Sequence, residues 1–321
     1  MGPDPSVTAI MPKPGADRVD WGPPEPWNQT EGRVVIPGPF EYHRPASVAD
    51  AVALLVDHGD DARVIAGGHS LIPMMKLRMA VPEHLIDLQD VAELRGIAED
   101  GDTLVIGAMT RQQEIVDSEV LARLCPILRE TALVIADPQV RACGTLGGNV
   151  ATGDPGNDMP ALMQALDASY RVSGPDGSRD LPARGFYEAA YFTALGETEV
   201  VTQIRIPTPP AGHGYAYEKQ KRKVGDYDTA AAAVVLTMAG GSCTSAAIAL
   251  TNVGDTPLHA EAAGQALVGT PVDAAAVDEA VRLAEEITRP ASDGRGPADY
   301  RTRIAGVMTR RAIARALTRA S

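Results

Sequence analysis

The sequence predicts an α+β chain built from two α/β subdomains and a C-terminal α+β domain, and three observations carry that prediction. Between Val34 and about Asp90, short apolar strands alternate with a well-capped helix. Between Thr103 and Ile206 the same mixture recurs around a second glycine-rich segment. Beyond Pro207–Pro210 three strands come first and three helices follow, the order expected of an α+β domain. The predicted division is a Pro-rich extension over 1–33, subdomains over 34–90 and 91–210, and the C-terminal domain over 211–321. A chain of 321 residues can bury a large core without disulfide or metal staples. Only 4% of its residues are aromatic, so that core must rest on Ala, Val, Leu and Ile.

The elements follow in order. Val34–Ile36 reads as a first strand. Ser47 caps a helix whose apolar stripe is Val48, Val52 and Leu55, and Gly59 ends it. Arg63–Ala66 and His84–Leu88 are short buried strands. Thr103–Ala108 alternates as a strand, and Thr110 with Gln113 makes a capping box for the next helix. Leu124–Ala136 reads as a helix, Arg141–Asn149 as a glycine-punctuated loop, and Met159–Leu166 as a helix. Tyr170–Ser173 and Val200–Ile206 are strands. Tyr215–Gln220, Ala230–Met238 and Ala246–Val253 form an antiparallel meander. Helices at His259–Leu267, Ala274–Ile287 and Tyr300–Ala320 complete the chain.

Charge narrows the function. There are 42 acidic against 29 basic residues, a formal net charge of −13. That surface opposes the phosphate contacts of nucleic-acid binding and the attraction of anionic lipid. One stretch runs the other way, with Arg295, Arg301, Arg303, Arg310, Arg311, Arg315 and Arg319 against Asp299 alone; it reads as the solvated face of a terminal helix. Cys125, Cys143 and Cys243 lie far apart, so no zinc or cluster spacing is present. Sparse cysteines, Asp4 where a signal peptide needs cations, and no long apolar run give a cytoplasmic expectation.

Two glycine pairs carry the chemistry. In Val64-Ile65-Ala66-Gly67-Gly68-His69-Ser70-Leu71 a buried strand runs into a turn whose backbone N–H groups can approach a phosphate. Thr145-Leu146-Gly147-Gly148-Asn149 repeats the device, and a side chain at Gly147 or Gly148 would fill a phosphate's place. Asp158 suits a ribose hydroxyl, whereas Asp154 reads as a helix-capping acid. Neither loop is a GxGxxG or GxxxxGK[ST] fingerprint, which disfavours a nicotinamide Rossmann domain and a P-loop. Lys219 to Lys223 reads as a solvated edge strand, yet Gly225-Asp226-Tyr227 closes it with a turn and an aromatic able to stack on a planar ring.

Three stretches in this order resemble the FAD-binding medium subunit of the molybdenum hydroxylases. They are AGGHSLIPMMKLR from Ala66, ADPQVRACGTLGGNVATGDPGND from Ala136, and YEKQKRKVGDYDTAAAA from Tyr217. The family includes the carbon monoxide dehydrogenase flavoprotein and the flavin domain of xanthine dehydrogenase, and the resemblance spans Val34 to Ala320. It implies a vanillyl-alcohol-oxidase-type (PCMH) flavin fold, with both glycine loops on the FAD pyrophosphate, Asp158 on its ribose, and Lys219, Tyr227 and apolar Val201 near the flavin. It further implies a large molybdopterin subunit, a small subunit with [2Fe–2S] clusters, a dimer of heterotrimers, and NAD, a quinone or another acceptor. The missing cluster cysteines exclude the branch whose flavin subunit carries a [4Fe–4S] cluster. Cys143 departs from the bulkier residues of the family. A competing reading is a stand-alone flavin oxidase with covalent flavin on His69, and another is a flavin-free scaffold.

Overall fold

The computed structural model describes residues 36–321. The Pro-rich extension and the first two residues of the expected Val34–Ile36 strand lie outside them, and Ile36 itself sits in a bend.

The first unit is a parallel sheet of three strands in the order β1-β3-β2, made of β1 (Glu41–His43), β2 (Ala62–Ile65) and β3 (His84–Asp87). Two helices make the crossovers, α1 (Val48–His58) and α2 (Leu71–Lys76). The Ser47 hydroxyl accepts the Asp50 N–H, and Gly59, at φ +50°, turns the chain out of α1. Because all three strands run the same way, β2 delivers Gly67 and Gly68 at the sheet's C-terminal edge, where parallel sheets place their sites.

The second unit is an antiparallel sheet in the order β4-β5-β10-β6-β7. Its strands are β4 (Ile97–Asp100), β5 (Thr103–Gly107), β6 (Ser169–Gly174), β7 (Gly177–Pro182) and β10 (Val200–Pro207), with the short pair β8 (Tyr187–Ala189) and β9 (Phe192–Thr193) alongside. Six helices run between β5 and β6, namely α3 (Gln112–Asp117), α4 (Glu119–Leu124), α5 (Pro126–Val134), α6 (Pro138–Cys143), α7 (Leu146–Ala151) and α8 (Asp158–Ala165). Two local expectations are corrected. Thr110 does not cap α3: it is buried and its hydroxyl donates to the Gly96 carbonyl, while the Glu114 carboxylate accepts the Arg111 N–H. The expected loop at Arg141–Asn149 is two helical turns, because Pro138 starts α6 under an Asp137 cap and Thr145 caps α7.

The third unit is the expected meander, β11 (Gly214–Gln220), β12 (Ala230–Ala239), β13 (Ser242–Thr251) and β14 (Leu258–His259), followed by α9 (Glu261–Gln265), α10 (Ala274–Glu286) and α11 (Ala298–Arg319). Its sheet is buried on both faces, and period-two alternation sorts the residues. Ala231, Ala233, Ala249 and Tyr217 face the core shared with the second unit. Ala230, Ala232, Val234, Ile248 and Leu250 face the core under α9–α11. Alanines suit a strand pressed from two sides.

The arginines of the terminal helix divide: Arg303, Arg310 and Arg311 are exposed, as expected, whereas Arg301, Arg315 and Arg319 are not a solvated face. Arg301 is buried and donates to the carbonyls of Thr229, Ala291 and Asn252. Arg315 and Arg319 reach across to the second unit, where Glu130 accepts both at 2.5 and 2.8 Å. The same carboxylate accepts the Tyr217 N–H at 2.7 Å. Hydrogen bonds to a charged group contribute about 1.5–3 kcal/mol each in such settings. Glu130→Gln is therefore expected to destabilise the chain by about 2 kcal/mol, read as a lowered urea midpoint. An unchanged midpoint would mean that Glu130 does not latch the units together.

Candidate functional site

A cavity of about 840 Å³ opens between the three units, within the roughly 300–1,000 Å³ of small-molecule and cofactor sites. Its walls carry Val64 to Leu71 from the first glycine segment, Thr145 and Gly147 to Asn149 from the second, and Asp158, Val201, Lys219 and Tyr227 from elsewhere. Of the candidate residues, Leu146 alone does not face it; its side chain is fully buried in the core of the second unit.

The two loops meet with no side chain between them. A Cβ at Gly67 would stand 2.5 Å from the Cys143 carbonyl oxygen and 2.7 Å from the Gly144 Cα. Gly68 follows at φ +75°, in the left-handed region that glycine enters freely. That turn swings the backbone off the sheet, and the N–H groups of Gly67, Gly68, His69, Ser70 and Leu71 find no protein acceptor among the described residues. Successive amides without a protein acceptor at a cavity wall are the makings of an anion-binding concavity.

The second loop is wired differently. The N–H groups of Leu146 and Gly147 donate to the Thr110 and Ala108 carbonyls, at 2.9 and 2.8 Å. Those of Gly148 and Asn149 donate to the Thr145 hydroxyl and carbonyl. The loop thus has its amides engaged in fixing α7 against the 108–110 segment. The reason for glycine at 147 is also internal, since a Cβ there would lie 2.5 Å from the Ala108 Cβ and 2.7 Å from its carbonyl oxygen. A side chain at 147 collides with the protein rather than with a phosphate.

Lys219 is not on a solvated edge. Its ammonium group lies 2.9 Å from both Asp158 oxygens and 2.5 Å from Asp228, and all three side chains are almost fully buried. Burial disfavours the lysine charge, but the two carboxylates outweigh it and hold its pKa above the ordinary value. Burial first, and then the Asp158 charge, push the Asp228 carboxyl well up. The Tyr217 hydroxyl donates to Asp158 at 2.7 Å and completes the cluster. Lys221 donates to the Val134 carbonyl and Arg222 to Asp226.

Tyr227 stands half-exposed on the wall, its ring edge against Gly156 and the Arg295 guanidinium 5.7 Å from its centre. Asp154 does not cap α8. It accepts the Gly156 N–H and, after burial, raises the pKa of the Tyr191 and Tyr227 hydroxyls. One wall residue escaped sequence reasoning. Gln112, at the start of α3, is 1% exposed and neither end of its side-chain amide has a partner among the described residues. A buried amide without a partner beside a cavity wall is a group that a bound molecule or an ordered water would satisfy; nothing in its local sequence sets it apart from Gln113.

Two outcomes follow from this geometry. Gly147→Ala is expected to cost about 1–3 kcal/mol by overpacking, while Gly148→Ala, whose Cβ would press only on the Thr145 hydroxyl at 2.8 Å, costs less; thermal melts of the two variants compare them. Lys219→Met leaves two buried carboxylates facing each other and is expected to cost about 3 kcal/mol. A carboxyl whose folded pKa is raised weakens the fold above that pKa and ceases to do so once protonated. The deficit of the variant should therefore narrow as pH falls, in urea titrations against the unmodified chain.

Comparison with known proteins agrees with this architecture. Residues 38–209 match the family described as the FAD binding domain in molybdopterin dehydrogenase, and residues 215–316 match the CO dehydrogenase flavoprotein C-terminal domain. The carbon monoxide dehydrogenase medium chain of Afipia carboxidovorans is 64% identical over 89% of this chain and 99% of its own length. That of Hydrogenophaga pseudoflava is 50% identical over 87% and 97%. A crystal structure of Cu,Mo-CO dehydrogenase superposes with a TM-score of 0.88 at 64% identity, over 89% of this chain and 100% of the matched one. No helix among the described residues is long and apolar enough to cross a membrane. The chain belongs to the FAD-binding subunits of the molybdopterin dehydrogenases, a family of oxidoreductases.

Proposed function

We propose that this chain is the FAD-carrying electron-transfer subunit of a molybdenum hydroxylase complex, most like the medium chain of carbon monoxide dehydrogenase. The free amides of Gly67 to Leu71 carry the reading. They supply positive potential for a pyrophosphate in a chain whose net charge is −13, and the cavity beside them is large enough for a dinucleotide. Gly148 and Asn149 form the adjoining wall, Gln112 offers an unpartnered amide, and Val201 and Tyr227 offer apolar and aromatic surface for a ring. Asp158 enters the site as one member of an ion cluster with Lys219, so both act through their shared placement. FAD bound here would accept electrons singly and release them in pairs, while the protein sets its position and potential.

The partners in this reading are a small subunit with two [2Fe–2S] clusters, which delivers electrons, and a large molybdopterin subunit, which oxidises the substrate. The assembly is a dimer of heterotrimers, and an external acceptor such as NAD or a quinone receives the electrons. Untagged or lightly tagged chain purified from its native cells is expected to bring two further chains, molybdenum, iron and releasable FAD. A lone yellow protein without metals, its flavin retained after denaturation, would replace the relay by an oxidase with flavin on His69.

Gln112→Leu separates cofactor contact from folding. It removes an unpaired buried amide, so the FAD-free chain should melt at the same or a higher temperature. FAD affinity, followed by flavin fluorescence, should fall roughly five- to tenfold, the worth of one hydrogen bond. Unchanged affinity would place the cofactor away from Gln112.

A further inference from the structure

Three of the chain's six histidines meet outside the cavity, at the edge of the first sheet. The parallel register sets Glu41 beside His84. Residues two apart on a strand share a face, so His43 emerges next to them. His58, the last residue of α1, closes the group from above. One ligand nitrogen from each of His43, His58 and His84 lies within 4.8 Å of the other two. The His43 Nε2 and His84 Nδ1 are 3.0 Å apart, the His58 and His84 rings stack at 3.7 Å, and the Glu41 carboxylate lies 3.6 Å from His84 Nδ1.

Plain packing accounts for two stacked rings. Stacking and the His43–His84 hydrogen-bond contact pair the rings two by two; neither requires a nitrogen of all three to lie within 4.8 Å of the other two. The His43–His84 nitrogen pair, at 3.0 Å, is close to the roughly 3.3 Å separation of ligands around a tetrahedral ion with metal–nitrogen bonds of about 2.0–2.1 Å, and the stacked His58 ring has to turn about its side-chain bonds to aim its in-plane lone pair at the same ion. Neutral imidazoles select zinc and its first-row neighbours over magnesium or calcium. The three rings are half-buried, which leaves an ion a way in, and the Glu41 side chain is mostly exposed and free to swing. We propose that His43, His58 and His84 form a site for a divalent transition ion of the zinc type, with Glu41 or water as fourth ligand.

The ion's role is structural. None of these four residues lines the cavity. Their elements are β1, the C-terminal end of α1, and β3, so the ion pins together the sheet whose neighbouring strand β2 presents Gly67. An ion that binds only the folded state raises its melting temperature.

The test is titration of the FAD-loaded, untagged chain with cobalt and with zinc. Expected are one cobalt per chain with the intense visible bands of tetrahedral coordination, displacement by zinc, and a melting temperature raised by zinc. His58→Ala should weaken binding at least tenfold and abolish the zinc-induced shift while leaving FAD content unchanged. His43→Asn, on a different element, should do the same and guards against a folding defect in the first variant. No cobalt bands, or bands that survive both substitutions, would overturn the site.

Discussion

The structure depends on one close approach: two peptide segments pass each other with only backbone between them. Gly67 lies against the Cys143 carbonyl and Gly144, and Gly147 lies against Ala108. Any side chain at the first point forces the sheet of the first unit away from the helices of the second. The cavity is what remains beside that crossing. The crossing also explains why two superficially alike glycine pairs behave differently. The second pair is pressed onto the 108–110 segment, whose carbonyls take its amides. The first turns away at Gly68 and keeps its amides free.

Electrostatics follows from this arrangement. An acidic protein that is to hold an anionic cofactor needs local positive potential, and the obvious source is the cationic run beginning at Lys219. The structure removes it from that task. Lys219 is neutralised by Asp158 and Asp228, Lys221 is turned onto a helix carbonyl, and Arg222 is paired with Asp226. Beside the Arg63 guanidinium on the wall, peptide dipoles supply that potential, and they have two advantages over side chains: they cannot titrate and they are already ordered. The Lys219 cluster instead ties β11 and β12–β13 to the start of α8, which fixes the third wall relative to the first two.

What the sequence disclosed, and what it concealed, divides along physical lines. Features written in local chemistry were legible. Ser47 and Gly59 bracket α1, the alternation in Thr103–Ala108 marks a strand, and the glycine pairs stand at the cavity wall. Features decided by distant partners were not. Glycines hid the helical turns around Thr145, whose stability comes from Ala108 and Thr110 rather than from propensity. Lys219 and Arg301 look like surface charges until their partners, far off in sequence, are known. Gln112 and Gln113 are neighbours of one type, and only the fold puts one in the cavity and the other against Asp117. The histidine cluster required the β1–β3 register, which no local pattern reveals.

The pairing of charges around the cavity also bears on what kind of work the site does. Chemistry on a substrate needs an acid, base or nucleophile held short of its own satisfaction. Here Asp158 and Lys219 are tied to each other, Glu199 to Arg179, and Asp226 to Arg222, and burial holds the Tyr227 hydroxyl protonated. The five amides and the Gln112 side chain are neutral donors, and the charged or titratable wall groups outside ion pairs, Asp60, Arg63, His69 and Glu197, stand singly rather than as an acid–base pair with one another. Such a wall grips and orients a bound molecule without reacting with it. That is the division of labour expected where reactivity belongs to a cofactor and the chain supplies a rigid, charge-compensated seat.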